Sequence, residues 1–440
     1  MPPNLDNTLA AILSSRLSQG RLRRLTTPSS DSVDFSSNSY LSLSSNPAVK
    51  AAYVSFILPH LQSSGFGLGS GGSRLLDGNS AFTEDLERRI AEFHGADAGL
   101  LFNSGFEANT GLFACVPQKG DVIVYDELIH ASVHDGMRLS RAQRIAFAHN
   151  KVYDAAASSK YPSLDSLLKS LAQDTQVSSG KKNIFIAVEG VYSMDGDLAP
   201  LQAIVECVEK RLPRGNGYVI VDEAHSTGIF GRQGRGLVCQ LGLEDRTWAR
   251  VHTFGKAMGC SGGKFLFNPF LRIYMDANKS CIAIVLCSST TRSYLINYAR
   301  SFIYTTAMAF PSLASIRTTY DFLAQGHADS LVQNLQSLIH HMHTLLTQLI
   351  ERHGPSPELF RINPEAPQSP ILPLLTSRAR NLAQYCQERG FTVRPIVAPT
   401  VPAGQDRVRV CLHAGNTVEE VEGLCRAVEE WVTGAIKSKL

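Results

Sequence analysis

The sequence lacks a CxxC pair, a long hydrophobic run, an internal repeat and any marked excess of charge of one sign. No uncharged apolar stretch approaches the roughly 20 residues that a membrane-spanning helix needs, so no transmembrane segment is expected. The 42 Lys and Arg against 39 Asp and Glu leave a net charge of +3. That balance gives no electrostatic reason to expect nucleic acid or a membrane surface as a partner. Nine cysteines, at 115, 207, 239, 260, 281, 287, 386, 411 and 425, are scattered, and no secretory signal opens the sequence. They read as free thiols in a reducing compartment. His340, His341 and His343 in LIHHMHT have no carboxylate or thiolate near them in the sequence. They read as the solvated face of a helix, and no metal is expected.

What is present is a chain of 440 residues, 44% hydrophobic, enough for a large core in about two or three units. Residues 1–48 read as an amphipathic helix and a polar linker. Arg16, Arg21, Arg23 and Arg24 among serines also suit a mitochondrial transit peptide, but Asp6 interrupts that pattern and the structural reading is preferred. Residues 49–310 read as a large α/β unit. GLLFN at 99–103, DVIVYDELIHAS at 121–132, RIAFAHN at 144–150, IFIAVEG at 184–190 and GYVIVDEAH at 217–225 are short apolar runs between helical stretches. Such runs suit strands buried on both faces, and the helical spacers make a central, mostly parallel sheet. Residues 311–440 read as a smaller α+β unit. It has one helical stripe (Leu331, Leu335, Leu338, Met342, Leu345, Leu349) and two strands, ILPLL and RVRVCL. A last helix opens with the capping box Thr417-x-x-Glu420 and buries Val421, Leu424, Val428 and Trp431.

Several strands end in polar residues. GYVIVDEAHSTG brings Asp222 and His225 to a strand's carboxyl end, where ligands bind in open α/β sheets. IFIAVEGVYSMDGD brings Glu189 and Ser193 likewise, and VYDELIHAS brings His130. Lys256 follows the next strand, among glycines and small side chains in HTFGKAMGCSGG. Singly, Asp222 reads as a helix cap, His225 as a core histidine and Lys256 as a surface charge. Together they are what pyridoxal phosphate requires. An amine kept partly deprotonated by a desolvated pocket forms a Schiff base with the aldehyde. An aspartate keeps the pyridine nitrogen protonated, so that the ring is an electron sink. GLGSGG at 67–72 fits G-x-G-x-x-G, but a predicted helix precedes it and no acid-ending strand follows at about 20 residues. It reads as a substrate loop, not a dinucleotide fingerprint.

FSSNSYLSL, GLGSGGSRLLDG, LLFNSGFEANTGL, DELIHASVHDG, AHNK, VEGVYSMDGDLAPL, VDEAHSTGIFGRQGRG, TFGKAMGCSGG and APTVPAGQDRVRV stand in order between Arg23 and Leu424. Together they resemble the α-oxoamine synthases, fold-type I pyridoxal phosphate enzymes that condense an amino acid with an acyl-CoA and release carbon dioxide. The resemblance implies that Lys256 is the Schiff-base lysine and general base. Asp222 would pair with the pyridine nitrogen, His130 would stack on the ring, and His225 and Ser193 would address the 3′-oxygen, with Glu189 beside the cofactor. The amides of Gly105 and Phe106 at a helix start, with the Thr253 hydroxyl, would hold the phosphate. Thr306 would reach the phosphate of the neighbouring subunit in a homodimer. Asn38 and Arg409 would receive the amino-acid carboxylate, an arginine fork suiting that planar anion. Ser73 and Arg23 fall on the substrate side. Members often carry an arginine where this chain has Val397, which leaves open whether Arg394 takes its place. PTVPAG ahead of RVR favours the member that joins L-alanine to pimeloyl-CoA on the way to biotin. The alternatives are glycine with acetyl-CoA or succinyl-CoA, serine with a fatty acyl-CoA, or a non-catalytic subunit of the same fold.

KFLFNPFLRIYMDANKSCIA, residues 264–283, has no counterpart in that family, which runs from SGG into the next strand. It reads as an intron retained in a gene model, since any run of residues is a whole number of codons and Gly-Lys suits a splice donor. The rival reading is an insertion at the site entrance, which would displace the strand after Lys256. Ser438-Lys439-Leu440 forms the S-K-L peroxisomal address. Peroxisomal location is expected, with cytoplasm or mitochondrion as the alternatives.

Overall fold

The computed structural model describes residues 4–25, 27, 29, 31–63, 67–154, 160–260 and 282–437. The apolar runs form strands Ala98–Phe102 (β1), Val122–Asp126 (β2), Gln143–Phe147 (β3), Ile184–Glu189 (β4) and Gly217–Asp222 (β5). Ala249–Thr253 (β6) and Ala283–Cys287 (β7) follow. The seven make one sheet in the order β1-β7-β6-β5-β4-β2-β3. Only β7 runs antiparallel to its neighbours. Val124, Ile186 and Val221 are buried in one core cluster, and Ile123, Phe185 and Ile220 in the cluster on the other face. Burial on both faces is why these strands read as unbroken apolar runs.

The first helices are Asn4–Ser18 (α1), Pro47–Leu61 (α2), Ala81–Phe93 (α3), Gly105–Cys115 (α4) and Ala131–Leu139 (α5). α1 is a single helix, as expected, but Leu5, Leu9, Ile12 and Leu17 on it are exposed. α4 and α5 leave the ends of β1 and β2 and pack against each other. The Ser104 hydroxyl caps α4, accepting from the Glu107 amide at 3.0 Å.

β7 is in register: Ala283 pairs with both Thr253 and Phe102. The displacement of this strand that the rival reading, an insertion, would bring does not occur. All five residues of β7 are buried between β1 and β6, and closing a longer loop adds little entropic cost. Residues 261–281, which hold nearly all of the unmatched run, lie outside the described residues, as do Ser438, Lys439 and Leu440.

In the C-terminal part, Ile371–Leu375 (β8), Arg394–Ile396 (β9) and Arg407–Cys411 (β10) form an antiparallel sheet in the order β9-β10-β8. Helices Asp329–His353 and Val418–Lys437 pack on each other. Leu335, Leu338, Met342 and Leu349 are buried as the stripe implies. The capping box is formed, with the Glu420 amide donating to Thr417 Oγ1 at 3.2 Å and the Thr417 amide to Glu420 Oε2 at 3.0 Å. Helix Phe310–Ala324 packs against α2 and α3. Val33–Asp34 pairs in parallel with Phe391–Thr392, which fixes the segment leading to Asn38 against the C-terminal part.

The histidine triplet is less solvated than expected. His341 Nε2 lies 3.3 Å from Glu422 Oε1 and His343 Nε2 lies 3.1 Å from the Asn363 carbonyl. The last helix supplies the carboxylate that the local sequence lacks. Among the described residues no group of metal-ligating side chains forms, and the eight described cysteines are free.

Candidate active site

Asp222 and Glu189 are register partners on adjacent parallel strands, so both carboxyl groups leave the sheet on one face. Both are buried. Asp222 Oδ2 accepts from Asn109 Nδ2 at 2.7 Å, and its Oδ1 from the Ala224 amide at 3.0 Å. Glu189 Oε1 has no hydrogen-bond partner. Burial, joined by the Asp222 charge, pushes Glu189 well above the usual carboxylate range, as expected when two acids share a buried edge.

Asn109, one turn into α4, also donates to Ser132 Oγ at 3.0 Å. That hydroxyl lies 2.7 Å from His130 Nδ1, which in turn accepts from the Ser132 amide at 3.2 Å as the cap of α5. A nitrogen accepting from a backbone amide carries no proton of its own, so neutral His130 is protonated on Nε2. Its ring stays exposed.

Lys256 Nζ lies 2.9 Å from His225 Nε2, and His225 Nδ1 lies 2.7 Å from the Tyr40 hydroxyl. Burial first, then the charges of Lys256 and Arg409, hold His225 well below the usual imidazole range, so it is neutral. Burial raises the Tyr40 phenol above its usual range. Asn38 and Arg409, 371 residues apart, meet as the resemblance implies: Arg409 Nη2 donates to Asn38 Oδ1 at 3.0 Å and to the Tyr40 hydroxyl at 3.3 Å. Tyr40 lies 3.1 Å from the same Asn38 oxygen, and Arg409 Nε donates to the Ser193 carbonyl at 2.6 Å. Arg394 is the register partner of Arg409 on β9, while Val397 follows the end of that strand.

Gly105 and Phe106 open α4, where first-turn amides lack partners within the helix. A Cβ on Gly105 would stand 2.6 Å from Thr253 Cγ2, so only glycine lets the helix start approach the end of β6. Thr253 Oγ1 donates to the Ala224 carbonyl at 3.3 Å. Thr306 is exposed, and its carbonyl accepts from Asn103 Nδ2 at 2.8 Å, beside the α4 start of its own chain. Ser73 is half-buried in a turn closed by the Gly78 amide on its carbonyl at 2.9 Å. Arg23 is exposed after α1, outside the cluster.

The set fits pyridoxal phosphate. An anchored acid, an amine beside a neutral imidazole, an open histidine ring and a glycine-opened helix start surround one edge of the sheet. Sequence reasoning missed Tyr40, Asn109 and Ser132. All three stand inside the motifs FSSNSYLSL, LLFNSGFEANTGL and DELIHASVHDG, but nothing local marks them as facing the site.

The aminotransferase class I and II family profile matches residues 30–428. The chain is 49% identical to the 8-amino-7-oxononanoate synthase of Emericella nidulans, over 100% of this chain and 98% of that one. Two solved structures share the fold. One is SPT with a PLP internal aldimine, with TM-score 0.77, 24% identity, and 97% of this chain and 98% of that chain covered. The other is the 8-amino-7-oxononanoate synthase of Francisella tularensis, with TM-score 0.65, 24% identity, and 93% and 100% covered.

Proposed function

The chain belongs to the aminotransferase class I and II family, and from that premise we propose that it condenses L-alanine with pimeloyl-CoA. The products are 8-amino-7-oxononanoate, CoA and carbon dioxide, and the enzyme is a pyridoxal 5′-phosphate-dependent acyltransferase. The observation that carries the reading is one line of hydrogen bonds. It runs from the Asn38–Arg409 fork through Tyr40 and His225 to the Lys256 amine. Likeness to the Emericella synthase along the whole chain favours this substrate pair over the glycine and serine pairs. Lys256, Asp222 and His225 together speak against a non-catalytic subunit.

The cofactor supplies the electron sink that stabilises negative charge on the amino acid's α-carbon. The chain's own residues do the rest. Asp222, fixed by Asn109 and the Ala224 amide, would keep the pyridine nitrogen protonated. The α4 amides and Thr253 would hold the phosphate, His130 would lie over the ring, and His225 with Ser193 would face the 3′-oxygen. Arg409 and Asn38 would fix the alanine carboxylate and aim the α-hydrogen at Lys256 Nζ, which takes that proton. A carbon–carbon bond then joins the alanine α-carbon to the thioester carbonyl carbon, and the CoA thiolate leaves. The carboxylate departs as carbon dioxide, and a proton returns to the α-carbon.

Lys256→Ala should lower turnover by at least about 10²–10⁴-fold, the usual worth of a general base. Borohydride should attach the cofactor covalently to Lys256 in the native enzyme and nowhere in the variant. Near-normal turnover, or reduction onto another lysine, would sink the assignment.

The working unit in this reading is a homodimer that shares the site. Leu68, Leu76, Phe106 and Tyr304 are exposed, and their segments meet beside the α4 start, the Ala307 amide donating to the Gly72 carbonyl at 2.8 Å. Exposed apolar groups gathered at one place mark an interaction surface. Sedimentation of the loaded enzyme at single-chain mass would contradict it. The same reading proposes peroxisomal delivery through Ser438-Lys439-Leu440. An N-terminally tagged fluorescent fusion should give puncta that become diffuse without the tripeptide; mitochondrial staining of the untagged protein counts against it.

A further inference from the structure

Tyr40 is wholly buried, yet the roles assigned above give it no task. Its hydroxyl lies 2.7 Å from His225 Nδ1, 3.1 Å from Asn38 Oδ1 and 3.3 Å from Arg409 Nη2. Arginine can only donate, so the phenol oxygen accepts from it. The single hydroxyl hydrogen must then go either to Asn38 or to His225. Given to His225 Nδ1, it leaves the ring's own proton on Nε2, directed at Lys256 Nζ 2.9 Å away. Given to Asn38, it makes Nδ1–H the donor to the phenol and leaves Nε2 bare, an acceptor for a Lys256 ammonium. Loss of one proton from Lys256 therefore reverses the whole chain of hydrogen bonds.

We propose that Tyr40 is a positioning residue that sets which nitrogen of His225 carries the proton, and so couples the Asn38–Arg409 pair to the Lys256 amine. This rests on, and deepens, the reading of the site given above. Neutral His225 and a phenol that keeps its hydrogen are what the two arrangements need, and burial supplies both. The ionisable groups facing Tyr40, His225 and Lys256 are Arg409 and Cys411 on β10, His130 at the start of α5, and Glu189 at the end of β4. All four are unchanged in the variants below, so a shift between variants reports on Tyr40.

The test is a pH titration of the visible absorption of the cofactor-loaded enzyme, read beside the Michaelis constants. A proton held on His225 Nε2 would be available to donate to an anionic 3′-oxygen of the bound cofactor and would favour the form that has lost its proton. Tyr40→Phe should raise the absorption midpoint by about half to one pH unit, the size of one neutral hydrogen bond. It should also raise the Michaelis constant for alanine and leave that for pimeloyl-CoA unchanged. A merely structural tyrosine would lower thermal stability without moving the midpoint, and an unmoved midpoint overturns the proposal. Should Tyr40→Phe fail to hold the cofactor, Asn38→Ala decides. It removes the competing acceptor and is expected to lower the midpoint; no change or a rise overturns the proposal. The titration needs no acyl-CoA, so it stands even if the wild type fails to use alanine with pimeloyl-CoA, a result that would count only against the substrate assignment.

Discussion

Arg409 makes its contacts with three groups from two distant stretches of chain: the Asn38 oxygen, the Tyr40 hydroxyl and the Ser193 carbonyl. Removing it should therefore act on the amino acid and not on the acyl-CoA. Arg409→Ala is expected to raise the alanine Michaelis constant by about 10–10²-fold, since a hydrogen bond to a charged group is worth about 1.5–3 kcal/mol. Steady-state kinetics with each substrate varied in turn checks this, and a rise confined to pimeloyl-CoA would place the carboxylate elsewhere. At this scale the legible residues were those at strand ends. Asp222 and Lys256 were legible only together, as an acid closing one apolar run and a lone amine among glycines after the next strand. Tyr40 and Asn109 did not, because a tyrosine or asparagine inside a motif looks the same whether it faces core, solvent or site. Only the fold brings Tyr40 to His225, 185 residues away.

At the scale of elements, the site depends on how closely α4 approaches the end of β6. Gly105→Ala should weaken cofactor binding and lower stability by about 1–3 kcal/mol, the usual cost of overpacking, because the added methyl would press on the buried Thr253 side chain. Equilibrium binding of the cofactor and thermal melting of the apoenzyme check the two effects; unchanged affinity would remove the α4 start from the phosphate site. The strands β1, β2, β4 and β5 were readable because two-sided burial leaves a continuous apolar run, whereas β3, at the sheet edge, keeps only Ala146 and Phe147 buried. The reversed direction of β7 was not, since a strand buried on both faces carries no mark of its orientation. After the unmatched run it still pairs in register with β1 and β6, with all five of its residues buried.

Across the whole molecule, His149 in AHNK ties the large sheet to the C-terminal part. Its Nδ1 lies 2.9 Å from Asp126 Oδ1 at the end of β2, and its Nε2 2.7 Å from Asp197 Oδ2. The neighbouring Asp195 pairs with Arg407 on β10, and Ser369 donates to the Gly196 carbonyl at 2.6 Å. Burial lowers the His149 pKa, but the hydrogen bonds to Asp126 and Asp197 prevail and raise it from 6.5 to about 10. A raised pKa means that the folded state holds a proton that the unfolded state has lost. The stabilisation is complete below pH 6.5 and drains away as pH rises toward about 10, with a slope of at most about 1.4 kcal/mol per pH unit. Thermal melting across that range should show a steeper fall for the wild type than for His149→Gln; equal slopes would remove the histidine from the account. The clamp is not legible in the sequence, because its acids come from two separate segments and their partners Ser369 and Arg407 from a third and fourth.

Product analysis decides whether this site joins alanine to pimeloyl-CoA. The loaded enzyme should be offered alanine with pimeloyl-CoA, glycine with acetyl-CoA or succinyl-CoA, and serine with a long-chain acyl-CoA, and the condensed products identified by mass. The highest kcat/KM is expected for alanine with pimeloyl-CoA, with 8-amino-7-oxononanoate as product. A higher value for any glycine or serine pair, or no condensation by fully loaded enzyme, would contradict that assignment.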